Sequence, residues 1–144
     1  MKPLWIAVAL LMTATTAHAE SVLGQWLTPV GATAEVYRCD ASVCVKLVTL
    51  SKDAPSRVDS NNPDAALRKR SLCGLVMGRG FHLSGSTEAD GGQLYDPKSG
   101  KTYSGTMTTD GDRFLRLRGY VGIKLFGRTE VWTRVQNKVP VCRE

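Results

Sequence analysis

Glycine sets the rhythm of this chain: all fourteen glycines fall after residue 19, and between them lie short segments rich in Val, Leu, Thr, Tyr and Trp. Short β-favouring runs closed by residues that tolerate positive φ are the pattern of an all-β protein with tight turns. The runs predict eight strands, near Gly24–Thr28, Ala34–Cys39, Val43–Leu50, Gly74–Phe81, Gly92–Asp96, Thr102–Thr109, Arg113–Tyr120 and Arg128–Gln136. Phe114-Leu115-Arg116-Leu117-Arg118 alternates leucine with arginine, as a strand with one buried and one wet face requires. Asp96-Pro97-Lys98-Ser99-Gly100-Lys101 and Thr109-Asp110-Gly111-Asp112 read as hairpin turns. Eight sequential strands with mostly short links favour an antiparallel up-and-down barrel, which removes exposed edges, over a sandwich that leaves them.

One segment breaks the rhythm. Asn62 to Arg70 predicts a short helix between strands 3 and 4, with Asn62 as its cap, Pro63 in the first turn and basic residues in the last. The polar loop Ser51–Asn61 and this helix would lie across one barrel mouth or run as a surface crossover.

The first nineteen residues read as a secretory signal peptide: a basic start at Lys2, an apolar run from Leu4 to Met12, and Ala17-His18-Ala19 as the cleavage site. The expectation is a cut after Ala19, a periplasmic or secreted location, and a single domain over residues 20–144. Removing Lys2 leaves 18 basic and 13 acidic residues, a scattered positive balance. Nothing interleaves aromatic with basic residues as a nucleic-acid surface would, so nucleic acid is not expected as a partner.

All four cysteines lie beyond the leader. An even number in an exported domain reads as disulfides, with three pairings open. Cys39 and Cys44 flank the turn-rich Asp40-Ala41-Ser42-Val43, where a bridge across a hairpin neck is sterically easy; that choice leaves Cys73 with Cys142. The C-x4-C spacing is not the C-x-x-C of redox pairs. His82 is the only histidine after the leader, so a zinc site is disfavoured, and neither metal nor cofactor is expected.

Gly24-Gln25-Trp26 on the first strand and Trp132-Thr133-Arg134 on the last resemble the arrangement of lipocalin-like barrels, in which Trp26 would sit at the closed end covered by Arg134. A broader resemblance runs in order through three blocks. The first holds Tyr37-Arg38-Cys39, Cys44 and Lys46-Leu47-Val48. The second holds Asn62-Pro63-Asp64, Leu67-Arg68, Leu72, Gly74-Leu75 and Gly80-Phe81. The third runs from Gly91-Gly92 through Tyr95-Asp96-Pro97, Gly100-Lys101-Thr102-Tyr103 and Gly105, then Arg118 to Ile123, Gly127-Arg128-Thr129 and Trp132-Thr133-Arg134. These blocks are similar to the small exported bacterial proteins known as domain of unknown function 2147. The resemblance implies a calycin-like barrel and an envelope location, with no reaction and no catalytic residue to carry over. Thr49 departs from the pattern, which often has an aromatic there.

An enzyme is not expected. A Ser-His-Asp set would have to use His82, which is read as pointing to solvent, and no G-x-S-x-G elbow is present. Glu35 and Glu130 are the strand carboxylates that would need a partner if they faced inward; outward cross-strand pairing is the reading taken. Binding is the stronger reading. Tyr37, Leu47, Met77, Leu94, Tyr103, Met107 and Leu117 would share the inward face and suit a small apolar or fatty-acid-like ligand. Ile123-Lys124-Leu125-Phe126, set between Gly122 and Gly127, is unusually apolar for a hairpin loop. We read it as a plug folded into a barrel end; the alternative is a tip that contacts a membrane or envelope partner, which would make the protein a ligand-free interaction module.

Overall fold

The computed structural model describes residues 20–143. Within them eight strands close into an antiparallel barrel in sequence order, β1-β2-β3-β4-β5-β6-β7-β8. The strands are β1 (Gly24–Leu27), β2 (Thr33–Cys39), β3 (Ser42–Thr49), β4 (Val76–Ser84), β5 (Glu88–Asp96), β6 (Lys101–Asp110), β7 (Phe114–Tyr120) and β8 (Arg128–Arg134). Closure is direct, with Trp26 opposite Arg134 and Leu27 opposite Thr133. The expected strands are all present. The two around residue 85 are longer than expected, because Gly85 takes positive φ in a tight turn that lets β4 and β5 pair as far as Ser84 and Glu88.

The expected helix is replaced by a single 3-10 turn at Ala65–Leu67. Asp64, not Asn62, caps it, its carboxylate accepting from the Ala66 N–H. Asn62 is drawn away: its amide donates to Asp59 and its carbonyl oxygen accepts from the Asp64 N–H. The signal peptide expected over residues 1–19 lies outside the described residues.

The core follows the strand pleat. Trp26, Val36, Val45, Phe81, Met107 and Leu115 are among its fully or almost fully buried members. Glycines make room for the largest of them. A Cβ at Gly92 would run into the Phe81 ring, one at Gly105 would lie 2.8 Å from Leu94 and 3.0 Å from Phe81, and one at Gly78 would lie 2.8 Å from Val45. Phe81 therefore packs over β5 and β6, the next two strands around the barrel, where Gly92 and Gly105 have no side chains. A second, smaller cluster of Ala32, Leu47 and Leu72, with Leu50, Leu75 and Met77 against it, roofs one side of the opposite end.

Two disulfides are formed, Cys39–Cys44 across the β2–β3 turn and Cys73–Cys142 between the β3–β4 connection and the C-terminal tail. The tail is also tied by the Cys142 N–H to the Val48 carbonyl and by reciprocal bonds between the Gln25 amide and the Val139 backbone. Two disulfides in so small a domain fit an oxidising compartment.

Candidate functional site

The two ends of the barrel differ. At one, residues 20–23 cross the opening as a strap: the Val22 N–H donates to Ser86, and the Ser86 hydroxyl donates to the Glu20 carbonyl. Arg134 lies over the Trp26 ring, 4.1 Å from its centroid, and donates to the carbonyls of Ser21 at 2.5 Å, Leu23 at 3.0 Å and Asp112. The Trp26 indole N–H donates to Val22 at 2.9 Å. Burial pulls the Arg134 guanidinium below its ordinary pKa, with the Asp112 carboxylate acting against that shift. Arg134 remains charged regardless, and its fork satisfies the Ser21 and Leu23 carbonyls of the strap together with the Asp112 carbonyl of the β6–β7 turn. This end is closed.

The opposite end is open on the side of β6, β7 and β8. Cross-strand pairs share a face, so Leu117 opposite Glu130 and Gly119 opposite Arg128 place Glu130 and Arg128 on the inward side with Leu117 and Trp132. Both charged residues are nevertheless exposed. Solvent thus reaches the inner wall at that level. Glu130 has an indole as partner: the Trp132 Nε1–H donates to its carboxylate at 2.8 Å. The outward cross-strand pairing expected for Glu130 is therefore corrected by the register of β8, while Glu35 does face outward, toward Lys46 at 3.9 Å and the Gln25 amide at 3.2 Å.

Exposure grades along the inner wall. Phe81, Met107 and Leu115 are 0–1% exposed, whereas Leu47, Leu94 and Leu117 each keep 8%. The lower barrel is filled, and the leucines nearer the open end are packed almost as closely, each with a small part of its surface left accessible. Of the seven residues expected on the inward face, Leu47, Leu94, Met107 and Leu117 are core members, Met77 packs against that core and Tyr103 shares the inward face as the cross-strand partner of Leu94. Tyr37 is misplaced. It neighbours the inward Val36, so the strand alternation turns it outward, where Lys46 Nζ sits 4.7 Å from its ring centroid. His82 is likewise exposed, following the inward Phe81.

The outer side of the open end is organised by Asp59, which sequence reasoning missed. Its side chain is fully buried and accepts from Tyr95 at 2.6 Å, Asn62 at 2.8 Å and Arg70 at 2.8 Å. Burial pushes its carboxyl up, but the three hydrogen bonds and the Arg70 charge outweigh that and hold it below its ordinary 3.8. The Tyr95 phenol is pushed up to about 12, first by burial and then by the carboxylate it bonds. The hub fastens the β3–β4 connection to β5, and its members lie 3, 11 and 36 residues from Asp59, a spread with no local signature. Beside it lies an outer-wall depression of about 280 Å³ lined by Arg70, Arg79, Gln93, Tyr95 and Thr102, among others.

The apolar β7–β8 loop does not plug the barrel. Arg118 faces outward and donates to the Lys124 carbonyl at 2.8 Å and the Leu125 carbonyl at 3.2 Å, while Lys124 Nζ bonds Asp90 at 2.7 Å. These bonds hold a 3-10 turn at Lys124–Phe126 against the outer face of the barrel. The expected plug fails because the backbone carbonyls of the loop find their donor outside.

The structure resembles protein HP1028 from the human pathogen Helicobacter pylori, described as belonging to the lipocalin family, with a TM-score of 0.75, 21% identity, and coverage of 83% of this chain and 86% of that one. At that identity the likeness concerns the fold. No curated protein matches the sequence at a significant level. The model of an uncharacterised protein family conserved in bacteria, DUF2147, matches residues 24–134, the span from the first strand to the last. The chain therefore belongs to the DUF2147 family, built here as a lipocalin-like barrel closed by Trp26 and Arg134.

Proposed function

We propose that the protein is an exported, non-catalytic carrier that holds a small apolar or amphipathic ligand at the open end of its barrel. One observation supports this above the others: Leu117 and Glu130 stand side by side on the inner wall where solvent reaches it, so an apolar surface and a polar anchor face one accessible space. An apolar tail would lie over Leu47, Leu94 and Leu117, and Tyr103, Arg128 or Glu130 would meet the polar head. Because Phe81 and its neighbours fill the lower barrel, the ligand enters only partway, which favours a short or bent tail over a long extended chain. The two disulfides and the apolar leader at residues 4–12 support a working location in the periplasm or outside the cell.

Native mass spectrometry of protein purified from the periplasm, followed by denaturing extraction, tests the reading. A stoichiometric apolar adduct is expected, with Trp132 emission changing as fatty acids of graded length are titrated. A bare mass with no uptake at any length overturns it. A second reading, a ligand-free module acting through surface loops, draws on the exposure of Leu125 and Phe126 at 76% and 77%.

A further inference from the structure

We infer that the open end of the barrel is a docking face for an anionic lipid bilayer, with Ile123, Leu125 and Phe126 entering the interfacial layer. The apolar part is held in a presented conformation. Ile123, Leu125 and Phe126 are 55%, 76% and 77% exposed, and Val121 beside them is 72% exposed. Arg118, through two of the loop's carbonyls, and Asp90, through Lys124, hold the loop backbone against the outer wall of the barrel, and its apolar side chains still face solvent. A loop fixed this way loses little conformational entropy on insertion.

The charge distribution selects the occupant. Residues 20–144 hold 18 basic and 13 acidic residues. The open-end connections and the strand ends adjoining them, residues 50–75, 96–101 and 121–128, hold nine basic and four acidic. That leaves nine of each on the rest of the chain, so the whole positive excess lies at the end that carries the apolar loop. A protein partner would call for a concave, matched patch. The apolar residues here are gathered on one short exposed turn, and the charge is spread over three separate connections at that end. A planar anionic surface accepts that spread, since each cation near it adds attraction independently. The inference stands apart from the carrier reading, because docking does not require the barrel to hold anything.

The test uses the protein over residues 20–144 with its disulfides formed, sedimented with vesicles of phosphatidylcholine alone or mixed with phosphatidylglycerol. Partitioning is expected only with phosphatidylglycerol and should weaken as salt rises. Leu125→Ser with Phe126→Ser should lower the partition coefficient by roughly tenfold or more, given the apolar area withdrawn. Lys98→Glu with Lys101→Glu should remove much of the salt-sensitive part. Phe126→Trp should shift to the blue on these vesicles and be quenched by brominated lipid. Near-UV circular dichroism checks that each variant stays folded. Absence of partitioning by the folded protein, or partitioning unchanged in the Leu125/Phe126 variant, overturns the inference. So does self-association that the same variant abolishes without any vesicle binding, which would make the loop a contact between copies.

Discussion

At the closed end one guanidinium gathers three backbone carbonyls over a buried indole, whereas at the open end a carboxylate, a disulfide and a roof of leucines fasten loops whose outward surface stays charged and apolar. The first arrangement spends its polar groups on the chain itself. The second leaves polar and apolar groups facing solvent, where a ligand or surface could meet them. Stability should therefore concentrate at the Trp26 end, and recognition at the Leu117 and Phe126 end.

That contrast can be broken most severely with Trp26→Ala, which empties the closed end and leaves Arg134 without the ring it covers. Urea unfolding should show a loss of about 3–5 kcal/mol. If fatty-acid uptake by the fraction that remains folded also disappears, the two ends are not separable. Next comes Cys73→Ser with Cys142→Ser, opening a link between residues 69 apart. Loop entropy assigns it about 4 kcal/mol, against about 2 kcal/mol for the short Cys39–Cys44 ring. Thermal melts of the two double variants should keep that order, and the reverse order would show that the open end needs no long-range tie.

Asp59→Asn should cost less, roughly 1–3 kcal/mol. Its pH signature is sharper than its size. The folded carboxyl lies below its ordinary 3.8, so its contribution is complete above that value and is lost as pH falls through the folded one. Wild-type stability should drop on acidification below about pH 4 by more than that of the Asn variant. Tyr95 works in the other direction: raised to about 12, it adds stability that is complete below pH 10 and lost between 10 and 12, and Tyr95→Phe should flatten that alkaline limb. The smallest stability effect is expected for Glu130→Gln, within about 0.5 kcal/mol because the residue is exposed. If it nonetheless shifts ligand preference between acids and amines, the inner wall at the mouth is the recognising surface.

Local patterning made the barrel legible. Alternation in Phe114–Arg118 placed β7, and the Asp96–Lys101 and Thr109–Asp112 turns fixed the hairpins on either side of β6. Features that depend on three-dimensional competition were not legible. Asn62 looks like a cap until Asp59 takes its amide, and Asp59 has no local mark because Tyr95 comes from a distant strand. The face of Tyr37 is not legible from its own strand, which alternates weakly: Ala34 and Val36 turn inward, and a tyrosine between Val36 and Arg38 fits either face by composition. The β7–β8 loop is apolar in composition, and only the position of Arg118 decides that it turns outward.

The inward glycines have a consequence for how such a chain can change over generations. Phe81 occupies space that Gly92 and Gly105 leave free, so neither side of that arrangement is independent. A methyl group at position 92 is excluded while the ring is present and becomes admissible only after the ring shrinks; a smaller residue at 81 opens a void unless a glycine grows in exchange. Drift through these positions must therefore pass by paired steps, with the order of substitution mattering. The filling of the barrel interior can be redistributed by moving bulk from one strand to its neighbours while the number of strands and their order stay the same.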